Sequence, residues 1–99
     1  MISVRKILTQ WCAAELPKFK FDTVELLTMP PDRPLDQLSI QIEHGNFVAS
    51  FTAWGWAGTT EWIVGDIRKG DTTIVRDEKF SDEKQLIALV EKAMVDLRQ

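Results

Sequence analysis

The 99-residue chain has a single cysteine, Cys12, and a single histidine, His44. One cysteine excludes an internal disulfide and a cysteine-based metal site, and it fits a reducing compartment. There is no His-x3-His or Cys-x2-Cys spacing, so a metal would have to rest on carboxylates and one imidazole. No metal or other cofactor is expected. Basic residues form no run: 12 bases are interleaved with 15 acids, for a net charge of −3. A nucleic-acid backbone, which is held by releasing its counterions to clustered bases, finds no grip. No stretch approaches the ~18 apolar residues of a membrane span. The opening MISVRKILTQWCAAELP is interrupted by Thr9 and Gln10, unlike the continuous apolar centre of a signal peptide. The expected compartment is the cytoplasm, with neither nucleic acid nor membrane as partner.

The chain has no internal repeat or low-complexity tract. At 44% hydrophobic and 27% charged, it reads as one ordinary globular domain over residues 1–99. A domain of this length buries a modest core but not a deep, walled ligand cavity as well.

Val4, Ile7, Leu8, Trp11 and Ala14 recur at helical spacing, predicting a helix from about Ser3 to Leu16, stopped by Pro17. KFKFDTVELL alternates as a strand with Phe19 and Phe21 on one side, and the proline-rich MPPDRP that follows predicts a loop. LSIQIEHGNFVASFTAW predicts two strands joined by a two-residue turn at Gly45-Asn46. Folding about that turn sets Ile42 opposite Ala49, Ile40 opposite Phe51 and Leu38 opposite Ala53, all on one face. Glu43, Val48, Ser50, Thr52 and Trp54 fall on the other.

TEWIVGDI and TTIVRDEKF predict a second hairpin around Arg68-Lys69-Gly70-Asp71. A two-residue turn sets Trp62 opposite Asp77, and a three-residue turn sets it opposite Arg76. Either way Trp62, Val64 and Asp66 share one side, and Ile63, Gly65 and Ile67 the other, with Ile63 and Ile67 the better core candidates. Ser81 is the expected cap of a last helix, with Asp82 and Glu83 suited to its first turn and Leu86, Val90, Ala93 and Leu97 as its buried stripe. The fold class expected is α+β: an antiparallel sheet of four to five strands, with the N-terminal and C-terminal helices packed on one face.

Three of four tryptophans lie in FTAWGWAGTTEW, residues 51–62. Trp11, on the helix stripe, belongs to the core. Trp54 falls on the sheet face away from the core, and Trp56 sits in the Gly55–Gly58 connection, where chains run over the surface. Two readings stand side by side. In one, Trp54, Trp56 and Trp62 form a contact patch, since aromatic anchors dominate protein interfaces. In the other, sheet curvature or the 29–34 loop covers them as a second small core.

Groups that could carry catalysis do not assemble. His44 flanks a turn on the apolar side with Ile42, remote from Cys12, which reads as a small buried hydrophobe. Glu61, Asp66, Asp77 and Glu78 could converge on neighbouring strands as paired acids, but strand-borne acids ordinarily line a solvated face. The glycines of WGWAG lack phosphate-loop spacing, and turn formation accounts for them. No catalytic residue is assigned, and an enzyme is not expected.

From Leu35 onward the layout resembles the bacterial TriTu-type immunity proteins. The shared features are a strand ending in tryptophan (Phe51-Thr52-Ala53-Trp54), a short glycine turn at Gly58, a strand ending in an acid (Ile63-Val64-Gly65-Asp66), a glycine hairpin at Gly70 and an acid-capped last helix. The turn here is Trp56-Ala57-Gly58 where the family's is acidic. The resemblance implies a small cytoplasmic protein that neutralises a cognate toxin by binding it. The chemistry agrees, because an inhibitor needs only a rigid surface with aromatic anchors and a charged rim. The expected partner is a protein toxin, and the expected contact residues are Trp54, Trp56, Trp62, Glu43, Glu61 and Asp66. The chain itself would be a monomer or homodimer. Other functions compatible with exposed tryptophans on a small acidic domain are a small-ligand or carbohydrate-binding module and a secretion chaperone.

Overall fold

The computed structural model describes residues 3–28 and 36–98. The proline-rich loop expected at 29–34 lies outside the described residues. Two helices, α1 (Val4–Glu15) and α2 (Glu83–Arg98), frame a sheet of five strands. The strands are β1 (Thr23–Leu27), β2 (Gln37–His44), β3 (Phe47–Trp54), β4 (Thr59–Asp66) and β5 (Asp71–Lys79). Each strand pairs antiparallel with the next in sequence, so the sheet order is the chain order. Both helices contribute to one core cluster with the same sheet face, giving the α+β arrangement expected.

Ser3 caps α1, its hydroxyl accepting from the Lys6 amide at 3.3 Å. A second cap comes from far along the chain. The Asp36 carboxylate accepts from the Val4 amide at 2.7 Å and the Arg5 amide at 3.0 Å. These amides have no partner within the helix, and a carboxylate there also meets the positive end of the helix dipole. Pro17 does not stop the chain abruptly. Leu16–Lys18 continue as a short 3-10 turn with Pro17 in its first positions, where no amide donor is needed. The stripe of α1 differs in one member: Ala14 is exposed, while Cys12 and Leu16 are buried with Val4, Ile7, Leu8 and Trp11.

The strand expected to begin near Lys18 begins only at Thr23. Phe19 and Phe21 precede it, stacked at 5.4 Å between ring centres and packed against the core. Side chains in this position close the end of the core, and alternation alone does not separate that from a strand.

The first hairpin has the expected register: Ile42 opposite Ala49, Ile40 opposite Phe51, and Leu38 opposite Ala53. All six are buried under the helices. Gly45 at φ +61° supplies the left-handed backbone that the first position of this turn requires.

The second hairpin sets Trp62 opposite Arg76, one of the two registers considered, but by another route. Four residues, Ile67–Gly70, connect Asp66 to Asp71, and an irregularity at Val64/Gly65 shifts the pairing by one. At the start of α2, Asp82 rather than Ser81 is the cap: its carboxylate accepts from the Gln85 amide at 2.8 Å. The Gln85 side chain reaches back to the amide and hydroxyl of Ser81 at 2.7 and 2.9 Å. Leu86, Val90, Ala93 and Leu97 are buried as expected, with Met94 beside them.

Candidate functional site

With both helices on one side, the odd-numbered residues of β2 and the even-numbered residues of β3 up to Trp54 occupy the other. Register extends that face across the sheet. Its central rows run Leu27, Ser39, Thr52, Glu61, Asp77 and Glu25, Gln41, Ser50, Ile63, Val75. Where a second apolar core would place aliphatic side chains, the middle of this face carries hydroxyls and amides. Ser39 Oγ and Thr52 Oγ1 are 2.8 Å apart, Gln37 Nε2 donates to Ser39 at 2.9 Å, and Gln41 Nε2 donates to Ser50 at 3.0 Å. Gln37, Ser39 and Thr52 are themselves buried, and the Ser39–Thr52 and Gln41–Ser50 bonds cross from β2 to β3 and stiffen the sheet.

Charge on this face is one-sided. Glu25, Glu43, Glu61 and Asp77 stand against Lys79 alone among the described residues. Glu61 lies directly opposite Asp77, a like-charged cross-strand pair that weakens the sheet unless a cation sits over it. Trp54 is half-buried at the end of the face, between Gln37 and Thr59 on its neighbouring strands. Trp56 follows in the turn and is 57% exposed. That turn is tied down from three sides. The Gly58 amide donates to the Trp54 carbonyl at 2.9 Å, the Gly55 amide to the Asp36 carbonyl at 2.8 Å, and the Phe80 amide to the Gly58 carbonyl at 2.9 Å. A β-carbon on Gly55 would collide with the Asp36 carboxylate that caps α1, so the turn and the helix cap fit only around glycine.

Four of the six expected contact residues share this face or its rim: Trp54 and Glu61 on adjacent rows, Trp56 in the turn beyond them, and Glu43 at the opposite end beside Val48. Trp62 and Asp66 are not. Trp62 is 3% exposed and faces the helices, with its ring centre 6.4 Å from that of Phe51. Asp66 shares its side, is 9% exposed, and accepts from the Arg68 amide at 2.9 Å to close the β4–β5 turn. The reason is register. The Gly55–Gly58 turn sets Phe51 opposite Trp62 and Ser50 opposite Ile63, which turns Trp62 and Val64 inward and Ile63 outward. Ile67, the other expected core residue, is in the turn and exposed. Because each side of β4 carries both apolar residues and an acid, Ile63 with Glu61 and Trp62 and Val64 with Asp66, the strand's own alternation is silent about which side is buried.

Asp77 joins Glu61 on this face as a strand-borne acid was expected to do, whereas Glu25 is an addition that only the pairing of β1 with β2 could have placed. Of the four acids considered for paired-acid chemistry, Glu61 and Asp77 come opposite each other on one face, while Asp66 and Glu78 lie on the helix side, apart from them. Among the described residues no three or more His, Cys, Asp or Glu gather as a metal site. Cys12 is buried, and desolvation pushes its thiol from 9.0 up to about 12, far from a reactive thiolate. No helix of the described residues is long and apolar enough to cross a membrane.

Fold and face together define a class: an α+β domain with both helices packed on one sheet face and, among the described residues, a polar, acidic second face edged by tryptophan. No family model matches the chain, and no curated protein matches it.

Proposed function

We propose that the protein is a non-catalytic inhibitor, an immunity protein that binds a basic toxin and covers its working surface. The observation that carries this reading is the sheet face that neither helix covers, with four carboxylates and a like-charged Glu61–Asp77 pair one row from Trp54. A face arranged this way is improved by a cationic partner. Lysine or arginine over Glu61 and Asp77 removes their repulsion, and the field of the acids steers a basic protein toward it. Trp54 and Trp56 supply the rigid aromatic area that anchors interfaces. The resemblance of the sequence from Leu35 onward to TriTu-type immunity proteins points the same way. A cytoplasmic bacterial setting belongs to this reading.

The test is co-expression with the toxin-like product of a neighbouring reading frame. Growth arrest is relieved by the wild-type chain. Relief is lost in Trp54→Ala/Trp56→Ala and in Glu61→Lys, both of which keep their circular dichroism and melting transition. If the wild-type chain gives no relief, the immunity reading falls. If relief survives both variants, the acidic face is not the docking surface.

A further inference from the structure

The sheet has two edges among the described residues, and they are built differently. β5 is blunted: its pairing with β4 is irregular near Gly65, and Arg76, Asp77, Glu78 and Lys79 fill its second half. These are devices that keep an edge from recruiting another strand. β1 is short and carries one charge, Glu25, but it is regular throughout and contains no proline or basic residue, and Val24, Leu26 and Leu27 are 38%, 40% and 42% exposed.

The direction of its backbone follows from the ladder. A two-residue hairpin makes His44 and Phe47 a hydrogen-bonded pair. The Ile67 amide donating to the Asn46 carbonyl at 2.7 Å agrees with this alternation. Carried across β2, the alternation points Thr23, Glu25 and Leu27 inward and leaves the amides and carbonyls of Val24 and Leu26 facing out. Their side chains lie on the helix side, where Val24 borders a groove lined by Cys12, Leu16, Pro17, Lys20 and Phe21.

We propose that two copies of this chain pair through β1, antiparallel about a two-fold axis at Val24, to form one continuous sheet. The strand is its own complement in this register. Val24 meets Val24 of the second copy beside the groove, and each exchanges both backbone bonds with the other. On the open side Thr23 meets the second copy's Glu25, a hydroxyl against a carboxylate. Asp22, which comes opposite Leu26, is already engaged by the Gly45 amide at 2.9 Å. Centring on Glu25 instead would set that carboxylate against itself, and centring on Leu26 would set it against Leu27. The pairing leaves the acidic face uncovered and does not depend on the inhibitor reading.

Sedimentation velocity on the full chain tests this, from about 1 μM to about 500 μM, the range of modest-sized interfaces. A reversible dimer is expected, weakened about tenfold or more by Val24→Lys or Leu26→Lys and unchanged by Val75→Lys on the opposite edge. In the wild type, hydrogen exchange at the Val24 and Leu26 amides slows as concentration rises, a readout that needs no variant. A monomer at every concentration overturns the proposal, as does a dimer that ignores Val24→Lys or protects β5 amides instead. Either result would leave the β1 edge to the chain's own residues or to another protein.

Discussion

Asp36, just before β2, ties α1 and the tryptophan turn together through its carboxylate and its backbone carbonyl. It caps α1 in place of an acid that the helix's own first turn lacks. Its backbone carbonyl also receives the Gly55 amide at the base of the tryptophan turn. Asp36→Ala is expected to lower stability in urea unfolding by about 1–2 kcal/mol, the range for a lost helix cap with a favourable dipole contact. Cys12 gives the residue scale its pH dependence. Its folded-state pKa is raised from 9.0 to about 12, so the unfolded chain loses its proton first. The stabilisation is fully present below pH 9.0 and is lost as pH rises toward about 12. A thiol reagent at pH 8 should therefore react with Cys12 only at the rate of unfolding, and fast labelling of the native protein would contradict its burial.

At the scale of elements, β4 decides what the molecule shows to solvent. Trp62 and Val64 seal the helix side, while Glu61 and Ile63 face out, and the choice between these sides came from the turn joining β3 to β4. Glu61 opposite Asp77 is a local weakness retained on the open face. Glu61→Gln is expected to raise the urea midpoint, with a gain of about 0.2–1 kcal/mol that shrinks as salt is added. The same change should weaken capture of a basic partner. An unchanged or lowered midpoint would mean that the two carboxylates do not repel each other in the folded protein.

Across the whole molecule, the tryptophans divide into two pairs with opposite fates. Trp11 and Trp62 are buried in the core beneath the helices, while Trp54 is half-buried on the opposite face and Trp56 projects from the turn. Acrylamide should quench the emission of Trp54 and Trp56 and leave that of Trp11 and Trp62 largely untouched. A Trp54→Phe/Trp56→Phe double variant should lose the quenchable component. Emission uniformly resistant to acrylamide would mean the open face is closed in solution.

What the sequence determined by itself is everything that rests on local pattern. The spacing of Val4, Ile7, Leu8 and Trp11 specified a helix and its inward stripe. Gly45-Asn46 between alternating strands specified the register of β2 and β3, and with it the outward side of Trp54, because turn length and alternation each fix that pairing independently. Tertiary structure decided the rest. The buried side of β4 depended on its partner strand, since Trp62 and Ile63 are both apolar. The place of Phe19 and Phe21 depended on a core end that needed closing. The capping of α1 by Asp36 joined residues more than thirty positions apart in the chain. The acidic face is of this second kind. Glu25, Glu43, Glu61 and Asp77 come from four strands, and only the ladder of backbone hydrogen bonds between those strands brings their charges onto one surface.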